Sequence, residues 1–314
     1  MELTVESYKS LLSEHGSLAE VARVLGRDPR NLRRWVKKYV EQVPPKYKTT
    51  ESAVLHLTDL HYGRKTESFD VKVLEERLDR MTTHILEINR ILKNGYRFDC
   101  LYILLTGDLV DGDEIYATHA YHTDEAARYG LEQATKLAQL LAARFKKLKT
   151  VAPKMKIVGV PGNHGRVSRH THEMNSWDVA ALTMLKMLFS EDPDVEVKVG
   201  EGFMETVQIQ GHGFLLYHGS AIRMFQSVPF YAIRQRILKW AGSLKDGFEV
   251  ALLGHFHQYF EDGINGKRIL SSGTFVTDDE WAIENIGSDG VQLMHFFGVH
   301  PEHAITWKYD LEVS

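Results

Sequence analysis

Apolar positions in the first forty residues recur at helical spacing in three short bursts. The stretch from Val5 to His15 reads as an amphipathic helix that ends at Gly16. Ser17 and Glu20 form a capping-box pattern ahead of Leu18, Val21, Ala22 and Leu25, and Gly26 supplies the stop. Asp28-Pro29 then gives an N-cap and a proline at the first helical position, opening a helix that runs to about Val40. Beyond it, Pro44-Pro45 and polar residues without period read as an extended linker. The expected division is a small all-α domain over residues 1–42, a linker over 43–52 and a second domain over 53–314.

From Ala53 the pattern changes to short apolar runs alternating with helical stretches, the signature of an α/β fold. Strands are expected at AVLHLT, CLYILLT, KIVGVP, GFLLYH and EVALLG, and helices at roughly 71–93, 116–148, 175–189 and 229–242. Leu137, Leu141 and Phe145 lie four apart on one helix face and read as core. After Tyr259 the chain reads as β-rich, with turns at Asp262-Gly263, Asn265-Gly266 and Asp289-Gly290.

Composition narrows the class. With 314 residues, 43% hydrophobic and 25% charged, the chain belongs with soluble globular proteins rather than disordered ones. One cysteine, Cys100, excludes an internal disulfide framework, and neither a signal-peptide core nor an apolar run of membrane length is present, so the cytoplasm is the expected location. The net charge of -4 divides unevenly: residues 1–50 carry ten lysines and arginines against six acids, net +4, which leaves -8 for the remainder. The stretch SLAEVARVLGRDPRNLRRWVKKY resembles a helix-turn-helix. That resemblance implies DNA as partner, a last helix presenting Arg30, Asn31, Arg33, Arg34, Lys37 and Lys38 to the major groove, and possible pairing of two chains as a homodimer. The competing reading is a helical bundle whose basic face is only solvated or docks a protein.

The chemistry stands at the ends of the apolar runs. AVLHLT leads into Asp59-Leu60-His61, CLYILLT into Gly107-Asp108 and then Asp111, KIVGVP into Gly162-Asn163-His164, GFLLYH ends on His218, and EVALLG leads into His255-Phe256-His257. In an α/β sheet, residues beyond the carboxyl ends of strands meet in one crevice. Alternation in DLH and HFH is expected to aim both members of each pair the same way along an extended segment. Carboxylate, imidazole and amide oxygen together suit borderline divalent cations: manganese, with iron or zinc as alternatives. Two such cations can share a bridging carboxylate and hydroxide and clamp an in-line displacement at phosphorus. His56, inside a strand, reads as a core histidine; His84, His119 and His122 read as surface residues; and the cationic stretch Arg166 to His172 reads as a solvated loop or, alternatively, as a contact for flanking phosphates.

The set DxH, GDxxD, GNH, a later lone His and GHxH resembles the calcineurin-like metallophosphoesterase family over roughly residues 53–275. The resemblance implies a β-sandwich flanked by helices and two metal ions. It places Asp59, His61 and His257 on the first metal, Asp108 between the two, and Asn163, His218 and His255 on the second. His164 then resembles the catalytic histidine that assists the leaving group, with Asp111 orienting it. The family often has an acid after GNH, where this chain has Gly165. Because the superfamily acts on many phosphoesters, the basic N-terminus decides the expected substrate: a DNA-processing phosphodiesterase. The alternatives are a phosphomonoesterase or small-nucleotide phosphodiesterase with a helical dimerisation unit, and a non-catalytic DNA-binding regulator.

Overall fold

A computed structural model describes residues 3–39, 50–116, 119, 122–223, 228–280, 283–284 and 289–314, except for the side chains of 5, 6, 9 and 37–39. The chain divides into two compact units, between Thr49 and Thr50. The expected linker falls outside the described residues up to 49; its last two positions, Glu51 and Ser52, are already paired as strand.

Among the described residues, the first unit has three helices: α1 (Val5–His15), α2 (Leu18–Val24) and α3 (Pro29–Tyr39). Thr4 and Ser7 cap α1 reciprocally, and Gly16 ends it at φ 69°, where a Cβ would be strained. Ser17 accepts the Glu20 amide as expected, but the return half of the capping box is not made, because the Glu20 carboxylate takes the Arg23 guanidinium at 2.9 Å instead. Tyr8, Val21, Ala22, Leu32 and Val36 form the small core.

The second unit is a four-layer sandwich. One sheet has the order β11-β10-β1-β2-β3-β4, from β1 (Glu51–Leu57), β2 (Phe98–Leu105), β3 (Lys154–Gly159), β4 (Val195–Val199), β10 (Leu293–Val299) and β11 (Lys308–Glu312). The other has the order β5-β6-β7-β9-β8, from β5 (Met204–Ile209), β6 (His212–Tyr217), β7 (Val250–Leu253), β8 (Phe260–Ile264) and β9 (Lys267–Ser271). Strand β1 lies between β2, parallel, and β10, antiparallel, and is buried along its whole length, which is why its sequence is apolar on both faces. Ala53, Leu55 and Leu57 face the helices α4 (Val71–Leu92), α5 (Gly130–Leu148) and α6 (Trp177–Leu188), whereas Val54 joins Leu104 and Val158 against Phe214, Leu216 and Leu252 of the second sheet. Helix α7 (Phe230–Ser243) covers the outer face of that sheet through Ile233 and Ile237.

Several local expectations need correction. The helix expected from 116 starts only at Gly130, because Asp113 caps its amide at 2.8 Å and Asp124 spends its oxygens on the amides of Val71 and Ala126. Asp262-Gly263 lies inside β8 rather than in a turn; the hairpin turns at Asn265-Gly266, with φ 48° and 75°. Strands β4 and β5 fill a stretch where no strand was expected. Among the described residues, no helix is long and apolar enough to cross a membrane.

Candidate metal centre

The residues expected at strand ends do meet, at an edge shared by both sheets. β1, β2 and β3 deliver Asp59 and His61, Asp108 and Asp111, and Asn163 and His164, while β6 and β7 of the second sheet deliver His218 and the pair His255 and His257. They do not continue the strands in extended form, as alternation suggested. Asp59, His61, Asp108, His255 and His257 all have positive φ, between 46° and 72°. Each is a sparsely populated conformation for a residue with a Cβ, at a cost of roughly 1–2 kcal/mol. The backbone is held there by its own bonds: the amides of Asp59 and His61 donate to the carbonyls of Gly107 and Asp108. The turns also need close approach, since a Cβ on Gly162 would sit 2.1 Å from Asp108 Oδ1 and one on Gly254 2.5 Å from Asp59 Oδ2.

Two groups of donors result. In the first, Asp59 Oδ1 lies 3.3 Å from His257 Nε2 and 3.7 Å from His61 Nε2, and the two imidazole nitrogens are 3.2 Å apart. In the second, Asp108, His218 and His255 converge, with Asp108 Oδ2 2.9 Å from His218 Nε2 and Asn163 Oδ1 3.0 Å from the same nitrogen. Two of the outward ring nitrogens are already engaged. His61 Nδ1 donates to Asp111 at 3.1 Å and His218 Nδ1 to the Thr106 carbonyl at 2.8 Å, so each Nε2 is aimed inward. Asp59 Oδ1 is buried without a well-formed hydrogen bond. Imidazole, carboxylate and amide-oxygen donors that converge while buried fit a divalent cation.

Electrostatics agree. Burial alone would neutralise Asp108, but His218 and His164 hold its carboxyl below the usual carboxylate range, and Asp59 is held down likewise against burial by His257 and His61. Burial opposes charge on His61 too, yet its bond to Asp111 and the nearby Asp59 carboxylate raise it to about 10; His218, beside Asp108, is raised to about 9. A cation binding at these imidazoles must displace their protons, so binding there releases protons. His255 goes the other way, to about 3, because burial and the neighbouring His218 disfavour its charge.

His164 sits beside the donors with 20% of its side chain exposed. Its Nδ1 lies 3.1 Å from Asp111 Oδ1, the oxygen that also takes His61 Nδ1 and, at 3.3 Å, Arg64 Nη1. Arg64 in turn bonds Asp279 at 2.8 Å, so a buried cation anchors the acid that orients both histidines. Arg64 was not singled out in the sequence, although a buried acid cluster calls for such a partner.

Asp178, in the first turn of α6, was also missed. Its Oδ1 accepts the amides of Leu109 and Val110 and its Oδ2 the amide of Gly162, tying the β2 and β3 loops together. A Cβ on Gly165 would lie 2.9 Å from Ser176 Oγ and 3.0 Å from Asp178 Cγ. The space beside Gly165 is thus filled by an acid from α6, which accounts for the missing acid after Asn163-His164.

Other expectations divide. His56 is a core residue, bonded to Thr106 Oγ1 at 2.8 Å and Ser272 Oγ at 2.9 Å. His119 is not a surface residue: it is buried against His164 and Tyr116, the latter bonded to Asn163 Nδ2 at 2.8 Å. In the cationic stretch Arg169 is committed to the Ile115 carbonyl and the face of Tyr116, while Arg166 pairs with Glu173 at 3.4 Å. In the first unit Arg30, Asn31, Arg33 and Arg34 are exposed along α3; the side chains of Lys37 and Lys38 lie outside the described residues.

Comparison with known proteins gives a family. The description calcineurin-like phosphoesterase matches residues 52–272, well over half of the chain. No curated protein matches. Among solved structures, the chain is similar to a novel archaeal phosphodiesterase at 11% identity, over 82% of this chain and 99% of that one, with a TM-score of 0.39. It is also similar to vacuolar protein sorting 29 from Cryptosporidium parvum (16% identity, 80% and 86% covered, TM-score 0.38). The third is Vps29 complexed with zinc from Entamoeba histolytica (15% identity, 82% and 99% covered, TM-score 0.35).

Proposed function

Because the chain belongs to the calcineurin-like phosphoesterase family, a family of metal-dependent phosphoester hydrolases, we propose that it is a phosphodiesterase acting on DNA. In this reading Asp59, His61 and His257 hold one divalent cation, Asn163, His218 and His255 a second, and Asp108 serves both. Manganese suits the mixed donor set, with iron or zinc as alternatives. Bound there, the cations would polarise the phosphoryl oxygens and activate water at neutral pH.

The chain's own residues position and protonate. Asp111 holds His164 through Nδ1, which leaves Nε2 to give a proton or hydrogen bond to the departing oxygen. Arg64 keeps Asp111 anionic and fixed. Asp178 sets the spacing between the loops that carry Asp108 and Asn163.

The observation that supports DNA as substrate is the exposed row Arg30, Asn31, Arg33 and Arg34 on α3, in a unit of net positive charge. Covalent attachment of a polyanion-binding unit raises the substrate concentration available to the hydrolytic unit. The test is hydrolysis of single-stranded DNA, duplex DNA and bis-p-nitrophenyl phosphate by the intact chain with manganese, with His164→Ala alongside. DNA is expected to be cut. His164→Ala is expected to lose most DNA cleavage while retaining more turnover of the nitrophenyl ester, whose leaving group needs no proton. Turnover of the small ester with DNA untouched would instead make the enzyme a small-substrate phosphoesterase.

A further inference from the structure

Beside the second donor group lies a cleft of about 180 Å³, bounded by the β3 loop, the start of β5, the end of β6 and α7. It reaches the buried His218 and Gly162 and is also lined by Arg166, Glu173, Phe203, Tyr217, Arg236 and Trp240. Its apolar side is aromatic: Trp240 meets Tyr217 edge to face at 4.9 Å, and Phe203 meets Tyr217 at 6.0 Å. Phe203 is 48% exposed, a phenyl ring kept in contact with water at the rim. The polar side carries two guanidinium groups and one carboxylate. Arg236 lies 5.6 Å over the Trp240 ring, and Arg166 bonds Glu173 through Nη2 while its buried Nε has no partner.

We infer that this cleft holds the base of a nucleotide whose phosphate lies at the donor cluster. The inference rests on the phosphodiesterase reading above and adds the substrate group that flanks the reacting phosphate. Aromatic walls favour a flat ring and tolerate any base, because every base has a π-face. The cationic surplus of Arg166 and Arg236 over Glu173 favours an anionic ligand. Glu173 supplies an acceptor for an exocyclic amine. The volume is below the roughly 300 Å³ at which drug-sized pockets begin, so it takes one base rather than two.

The source of that nucleotide, a DNA chain or a free mononucleotide, is distinguished by titration. Calorimetry on the full chain compares deoxyadenosine 5′-monophosphate, deoxyribose 5-phosphate and a short single-stranded oligodeoxynucleotide, with bis-p-nitrophenyl phosphate turnover measured on the same sample. The mononucleotide is expected to bind about tenfold tighter than the base-free sugar phosphate. Oligonucleotide affinity that falls in Trp240→Ala assigns the cleft to DNA, whereas a mononucleotide affinity that falls while that of the oligonucleotide does not assigns it to free nucleotide. Trp240→Ala is expected to erase the advantage of the base. Phe203→Ala, at a position too exposed to unfold the chain, is expected to reduce it severalfold. A ratio near one in the wild type, or a ratio unchanged in both variants, overturns the inference. Turnover with a ratio near one removes only the base cleft, whereas a preserved ratio without turnover removes only the hydrolytic reading.

Discussion

The small helical unit carries its distinctive side chains outside, whereas the larger unit carries its own inside. Arg30 has 91% of its side chain exposed, and Asp59 none. The difference has consequences for both. A buried carboxylate or imidazole must be partnered or it destabilises the fold, so the donor cluster is locked by Asp111, Thr106 and Asp178 and held in left-handed backbone. An exposed arginine needs no partner and is constrained only by the helix that carries it. Chemistry in the inner site is therefore set by geometry, and attraction at the outer face by the sum of charges.

Removing one buried ligand should break this contrast most sharply. Asp108→Asn is expected to lower turnover of every phosphoester at least about a thousandfold, while DNA binding in a gel-shift assay persists; loss of both together would tie the two units into one site. Reversing the outer charges with Arg30→Glu, Arg33→Glu and Arg34→Glu together is expected to lower the ratio of DNA cleavage to bis-p-nitrophenyl phosphate turnover about a hundredfold. The same variant should make the log–log salt dependence of DNA affinity shallower by about three. An unaltered salt slope would leave α3 as a merely solvated face.

Asp178→Ala sharpens the inner half of the comparison. It leaves three buried amides, those of Leu109, Val110 and Gly162, without an acceptor. Chemical denaturation should show a loss of at least about 3 kcal/mol, and turnover should fall roughly tenfold through misplaced ligands. Wild-type kinetics in this variant would reduce Asp178 to a tie that serves stability alone. The smallest expected effect concerns Cys100, whose thiol is pushed up to about 12 by burial and by Asp99. Raising a thiol's pKa leaves less thiolate at a given pH, so iodoacetamide at pH 8 should label Cys100 only after denaturation. Labelling of the native chain would show that β2 opens.

The ligand residues were legible because each directly follows an apolar run, and such a run marks a buried strand whether or not its neighbours are known. What surrounds them was less legible. Periodicity suggested an extended DLH and HFH, but the left-handed turns at Asp59, His61, His255 and His257 depend on backbone bonds to other loops, such as those to Gly107 and Asp108. An apolar run also does not say which sheet it joins, so the division of the site between β1–β3 and β6–β7 appears only in the pairing. Asp178 looked like an ordinary residue of a helix start, and only the space beside Gly165 reveals its part. His119 was misplaced because residues 116–129 carry helical spacing, while Asp113 and Asp124 divert the backbone by capping.

The most direct test of the account is a manganese titration of the intact, chelator-stripped chain, following cleavage of a single-stranded oligodeoxynucleotide and of bis-p-nitrophenyl phosphate in parallel. The account predicts that both activities are absent after stripping and return together, reaching a plateau near two equivalents of metal per chain. Cleavage that survives stripping, or DNA that stays intact at a metal level that fully restores turnover of the small ester, would contradict it.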